Sequence, residues 1–193
     1  MKLIVENLAL ERGGRRVLAG LSFEARAGEF IDVRGRNGAG KTSLLRALAG
    51  WLRPAEGRIR FEGEFEPATS MHVLGHRDGV KSGISLIAHV RYWAGLFGAD
   101  PAGSEAALER VGLARIAKLP ARVLSAGQSR RLALSRLIVA PRPIWLLDEP
   151  LASLDEAGRT MVAELAAEHL KSGIVVAAGH DPLGVPPASV VTL

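Results

Sequence analysis

The chain has 193 residues, enough for one domain or a two-lobed unit with a substantial core, and too few for two independent enzyme domains. Hydrophobic residues make up 48% and charged residues 23%, a globular α/β balance that excludes disordered and fibrous classes, while aromatic residues at 5% are too sparse for an aromatic binding surface. Cysteine is absent, which excludes disulfides, thiolate metal sites and cysteine nucleophiles, and the formal charge of +5 suits anionic ligands and ordinary solubility equally well.

Residues Met1–Leu10 read as a strand, and after a turn at Gly13 and Gly14 the segment Val17–Ala27 reads as another, both expected in an edge sheet. Phe30–Arg34 reads as a short strand running into a glycine loop, and Lys41–Ala49 as the helix that follows. Gly57–Gly63 alternates like a strand returning to the edge sheet, and Met71–Gly75 reads as a core strand. From Ile84 to about Arg136 the apolar period becomes helical, in Ile84–Phe97, Ser104–Leu113 and Gln128–Val139, with no convincing strand. Ile144–Asp148 is then a strand, Glu156–Leu170 a helix, Gly173–Gly179 a buried strand, and Ala188–Leu193 one strand more. The expected organisation is a single unit, with residues 1–75 and 137–193 forming a core plus edge sheet and residues 76–136 a helical lobe inserted between them. No charge-free apolar run of about 18 residues and no opening signal-peptide pattern is present, so association with a membrane is expected to need a partner.

Gly35-Arg36-Asn37-Gly38-Ala39-Gly40-Lys41-Thr42 has two glycines bracketing four residues, then a lysine and a hydroxyl residue, between a strand and a helix. The glycines permit a tight loop whose N–H groups, with the positive end of the helix, face the α- and β-phosphates of a nucleotide. Lys41 is suited to the β- and γ-phosphates, the Thr42 hydroxyl to Mg²⁺, and Ser43 completes the loop. Asp148 and Glu149 end a hydrophobic strand, where active sites of open α/β sheets lie. Asp148 is placed to hold Mg²⁺ directly or through water, and Glu149 to orient or deprotonate the attacking water. His180 follows another buried strand and can contact the γ-phosphate or that water. Taken singly, each has a plainer use: a glycine turn, an acidic helix start with Pro150 in its first turn, a loop histidine.

Leu124-Ser125-Ala126-Gly127-Gln128 makes the pattern specific. With the phosphate loop, LSAGQ, hydrophobic-Asp-Glu-Pro, Ser153-Leu154-Asp155 and His180 in this order, the chain resembles ATP-binding cassette ATPases along nearly its whole length. That resemblance implies an α/β P-loop NTPase fold with an antiparallel edge sheet and an inserted helical subdomain. It also implies a Mg²⁺-dependent ATPase working as a head-to-tail homodimer, with each ATP held between the phosphate loop of one copy and the LSAGQ segment of the other. Ser125, Ala126 and Gly127 would open a helix whose N–H groups suit a γ-phosphate, and a serine N-cap with a glycine turn is the simpler use of the same residues. Asp155 is implied to couple the two sites at the dimer interface, and is also adequate as a helix N-terminal acid. Six basic residues and no acidic one lie between Lys118 and Arg142, either attracting nucleotide across the dimer or forming a solvated helix face.

Three positions depart from the cassette pattern. His76 stands where the family carries a sensor glutamine; Arg12 stands where an aromatic residue stacks on adenine, a role open to cation–π contact; and Arg36 stands where proline is common, either facing solvent or attracting phosphate. The short chain, the LGH segment, LSAGQ followed by Arg130-Arg131, and GHDPL after the last buried strand resemble one subgroup, the ATP-binding subunit of the haem exporter of cytochrome c maturation. Ala88-His89 departs from the Glu-Asn pair expected there. The subgroup implies an integral membrane permease, a second haem-handling membrane protein and a peripheral position on the cytoplasmic face of a bacterial inner membrane, with no direct nucleic-acid partner. Other readings of the residues are the motor of a different exporter and a soluble cassette ATPase acting on ribosomes or nucleic acid.

Overall fold

The computed structural model describes residues 1–63, 66 and 69–193, and among them the strands fall into two sheets. Strands β1 (Lys2–Arg12), β2 (Arg15–Arg26) and β4 (Glu56–Glu62) form an antiparallel sheet in the order β2-β1-β4. The β1–β2 pairing runs out to Arg12 opposite Arg15, beyond the apolar run that begins at Val17. Gly13 and Gly14 both have positive φ, 58° and 73°, the twist that a two-residue hairpin needs, and this carries the ladder into polar residues.

The second sheet is parallel, in the order β5-β6-β7-β3-β8, from β3 (Phe30–Arg34), β5 (Met71–Leu74), β6 (Ile144–Asp148), β7 (Ile174–Ala178) and β8 (Ser189–Thr192). β6 and β7 are buried throughout, as expected of parallel strands covered on both faces. Alternate residues serve different cores. Ile144, Leu146, Ile174 and Val176 join Leu44 and Leu48 of helix α1 (Lys41–Leu48) and the inner face of the antiparallel sheet. Trp145, Leu147, Val175 and Ala177 face the other way, in a cluster with helices α2 (Leu86–Leu96), α3 (Ser104–Arg110), α4 (Ala126–Val139) and α5 (Glu156–His169).

The helical region contains α2, α3 and α4 where the period indicated them. α3 stops at Arg110, short of the expected Leu113, because Gly112 takes a left-handed conformation with φ 74° and the Leu113 N–H returns to the Leu108 carbonyl. The apolar interior is unbroken from Trp93, Leu108 and Leu132 to Trp145 and Val175, so these helices share one core with a face of the parallel sheet. No described helix is long and apolar enough to cross a membrane.

His72 on β5 is buried within this body, its Nε2 2.6 Å from the Ala140 carbonyl oxygen and its ring edge-on to Phe97. Burial lowers its pKa from 6.5 to about 4, and the nearby charges of Arg136, Arg142 and His169 act in the same direction. The unfolded chain therefore binds a proton that the folded chain refuses between these values, and stability must fall as pH falls through that window. His72 alone contributes a loss on the order of 3 kcal/mol. Denaturant titrations at about pH 7 and about pH 5 are expected to show about 2 kcal/mol of this drop, and His72→Gln to flatten it in part, since burial lowers His89 and His169 too.

Candidate functional site

The phosphate loop joins β3 to α1 at the carboxyl end of the parallel sheet. Gly40, the N-cap of α1, has φ 108° and no side-chain cap, which leaves the helix's first N–H groups free to face an anion. A Cβ at Gly40 would lie 3.1 Å from the Val17 carbonyl, so the loop is also held tightly against β2. The Lys41 ammonium donates to the Gly35 carbonyl at 2.7 Å, spanning the loop from end to end. The Thr42 hydroxyl donates to Asp148 Oδ2 at 2.8 Å, joining the start of α1 to the end of β6 across 106 residues of sequence.

β7 lies between β6 and β3 in the sheet, so the residues following these three strands converge. Glu149 leaves β6 in a left-handed conformation, φ 49°, which costs a non-glycine residue of order 1–3 kcal/mol. Its N–H donates to the Ala178 carbonyl on β7 at 2.7 Å and its carbonyl accepts from Arg130 at 2.6 Å, which pins it there. His180, just after β7, has Nε2 2.9 Å from Asn37 Oδ1 of the phosphate loop and 3.7 Å from the Glu149 carboxylate. A cavity of about 300 Å³ opens here, lined among others by Gly38, Lys41, Thr42, Asp148 and Glu149. Arg12, Val17 and His76 line it as well. Arg36 is exposed and lines the same cavity, so its two alternatives coincide.

The LSAGQ segment forms a different surface. Ser125 caps α4, its hydroxyl accepting the Gln128 N–H at 3.2 Å while Gln128 Oε1 accepts the Ser125 N–H at 3.0 Å. The Ser125 hydroxyl proton stays available to a ligand. Gly127 is demanded by space, because a Cβ there would lie 2.6 Å from the Ser153 carbonyl oxygen. Leu124 is half-buried and packs on the core. A cavity of about 550 Å³ is lined by Ser125, Ala126, Gly127, Gln128, Arg131 and Asp155 among others. Asp155 caps α5 through the Gly158 N–H at 2.9 Å and pairs with Arg131, and the Arg131 hydrogen bond followed by the Gly158 N–H lowers its pKa. Neither cavity contains a residue of the other.

Of the six basic residues from Lys118 to Arg142, Lys118 and Arg122 are exposed and the other four are engaged within the fold. Arg130 is 3% exposed, Arg131 is paired with Asp155, Arg136 is held down to about 10 by burial, and Arg142 covers Phe97. His89 is an interior residue: its Nε2 accepts the Lys81 N–H at 2.9 Å and its Nδ1 lies 3.0 Å from the Ser85 carbonyl, tying the chain before α2 to the helix. Sequence reasoning assigned no role to Arg130, Asp78 or Val17. A signal for Arg130 existed: it falls on the α4 stripe with Ala133, Leu134 and Leu137, where an apolar residue belongs.

No group of three or more metal-ligating side chains occurs among the described residues. The Thr42–Asp148 pair nevertheless fits Mg²⁺, which commonly takes one or two protein oxygens and completes its shell with phosphate oxygens and water.

The strand, phosphate loop, helix unit and its acidic neighbour define a P-loop nucleoside triphosphatase. The family model described as ABC transporter matches residues 18–152. Curated relatives include the cytochrome c biogenesis ATP-binding export proteins CcmA of Rhodopseudomonas palustris strain HaA2, 50% identical over 190 residues, and strain BisB5, 49% identical over 190 residues, each alignment covering 96% of this chain and 94% of the relative. Among solved structures, a putative ABC transporter ATP-binding protein from Pyrococcus furiosus superposes with a TM-score of 0.88 at 26% identity, covering 100% of this chain and 98% of the other. The chain belongs to the ABC transporter family, in the branch of the cytochrome c biogenesis ATP-binding export proteins. It is an ATP-hydrolysing subunit of that family, and the antiparallel sheet and helical segments match the architecture that the motifs implied.

Proposed function

We propose that the chain is the cytoplasmic motor of a membrane complex, and that two copies bind two ATP molecules between them. The observation that carries this reading is the separation of two half-sites: phosphate loop, acids and His180 on one surface, the Ser125 helix start and Asp155 on another. In a head-to-tail pair the α4 N-terminus of one copy faces the phosphates held by the other, adding N–H groups, a hydroxyl and a dipole where negative charge develops. Lys41 and the loop N–H groups hold the β- and γ-phosphates, and Arg12 lies at the edge of the cavity where an adenine can stack. Bound Mg²⁺, held by Thr42 and Asp148, supplies neutralisation of phosphate charge. Glu149 accepts the proton of the attacking water, and His180, held by Asn37 within reach of that carboxylate, orients water and γ-phosphate. His76 contacts the same cavity and serves as the sensor in place of glutamine. Asp155, joined to Arg131 of the signature helix, couples the two sites.

The partner is an integral membrane permease. A cleft beside the nucleotide cavity, lined by Arg46, Trp51, His76 and Arg77 with Trp51 68% exposed, supports docking there. Similarity to the CcmA proteins supports haem export, or release of a haem-bearing chaperone, as the work done, with a second haem-handling membrane protein present and the chain peripheral on the cytoplasmic face of a bacterial inner membrane. Affinity purification from native membranes, with mass identification of partners and a haem absorbance measurement, tests this. A permease and a haem protein are the expected partners. A permease alone, without haem, would move the cargo elsewhere, and association with ribosomes alone would contradict the motor reading.

A further inference from the structure

Arg130 is a buried cation that the phosphate chemistry leaves unexplained. Its guanidinium has five acceptors on two segments. Nη2 donates to the Asp148 and Glu149 carbonyls at 2.8 and 2.6 Å, Nε to the Pro150 carbonyl at 3.3 Å, and Nη1 to the Gly75 carbonyl at 3.0 Å and Asp78 Oδ1 at 2.9 Å. The side chain comes from α4, whose N-terminus is the signature segment. One planar fork therefore ties the signature helix, the turn carrying Glu149 and the segment that follows β5.

We infer that Arg130 is a positioning residue for hydrolysis: it holds the turn carrying Glu149 in its left-handed conformation and ties that geometry to the Gly75–Asp78 segment and to α4. The inference rests on Glu149 being the water-activating carboxylate. Three facts carry it. Glu149 has φ 49°, a conformation that its own side chain does not favour, and Arg130 holds its carbonyl while Ala178 holds its N–H. None of these five hydrogen bonds goes to the phosphate loop, so Arg130 acts on the acidic turn rather than on nucleotide contacts. Asp78, half-buried, is the acid matched to Arg130, and it sits two residues beyond His76, on the segment that borders both the nucleotide cavity and the Trp51 cleft. A displacement of that segment pulls on the fork, and the fork pulls on the turn.

The test compares Arg130→Lys and Asp78→Ala in the ATPase complex purified from native membranes, with Glu149→Gln beside them. A lysine keeps the charge and cannot reach all five acceptors. Arg130→Lys is expected to lower kcat by about a hundredfold, the scale on which misplacing a catalytic group acts, while KM for ATP stays near wild type and the melting temperature falls, because carbonyls that lysine cannot reach are left unpaired. Asp78→Ala, which leaves the carbonyl contacts intact, is expected to lower kcat about tenfold with the same unchanged KM. Wild-type kcat in Arg130→Lys, or a fall in kcat matched by an equal loss of ATP affinity, would overturn the positioning role. Full turnover in Glu149→Gln would instead strike the assignment of the carboxylate, so the two failures read differently.

Discussion

Glu149→Gln is expected to lower ATP turnover by on the order of 10²–10⁴-fold, the usual contribution of a positioned general base, while leaving ATP affinity intact. Glutamine keeps the shape of the side chain and one accepting oxygen, replaces the other with a donor amide, and loses the ability to take a proton. The backbone of the turn is held through the Ala178 and Arg130 contacts, neither of which involves the carboxylate, so the substitution leaves the turn in place. Lys41, the loop N–H groups and Thr42 are equally untouched, so nucleotide is still captured and the proposed ATP-bound dimer should persist. Phosphate release by the purified complex, with ATP binding measured beside it, gives the answer. Full turnover would show that the water is activated elsewhere.

Ser125→Arg is expected to reduce turnover by about 10²–10³-fold, the effect of removing a preorganised donor from developing charge, with ATP still bound by the phosphate loop of the same chain. The loss has two physical parts. The Ser125–Gln128 capping box disappears, which weakens the α4 start by about 0.5–2 kcal/mol. A long cation also enters a cavity that already holds Arg131, blocking the approach of a second copy. Ser125→Ala separates the parts, because it removes the cap without filling the cavity. If Ser125→Ala and Ser125→Arg were equally mild, the segment would be a helix start and nothing more.

The residues best legible from sequence were those whose chemistry fixes both residue type and spacing. Gly35 to Thr42 cannot make a phosphate cradle with other residues at the glycine positions, and the structure brings Thr42 against Asp148 and His180 against Asn37, although each pair is distant in sequence. Element types were legible for the same periodic reason, including the buried runs of β6 and β7. Element ends were not: the β1–β2 ladder runs on through arginines because a Gly13-Gly14 turn holds its register, and α3 ends early because Gly112 turns left-handed. Arg130 was obscured for a deeper reason. Adjacent arginines look alike in sequence, and helix phase alone sends Arg130 into the core and Arg131 outward to Asp155. The basic stretch left two readings open on the same account, since charge counted along a chain carries no information about burial. Likewise His89 stood out as a departure from an expected Glu-Asn pair, and its ring is spent inside the protein on Lys81 and Ser85.

The central claim is that a working site takes its phosphate loop from one copy and its signature helix from another. Mixing two inactive chains tests it most directly: Lys41→Ala, which damages only the phosphate loop, and Ser125→Arg, which damages only the signature segment, co-assembled in equal amounts in the membrane complex. A composite site predicts recovery, because each mixed pair contains one site built from two undamaged halves, giving about a quarter of wild-type turnover if copies pair at random and sites act independently. Turnover no higher than that of the two variants measured separately would mean that each chain completes its own site, and would contradict the account.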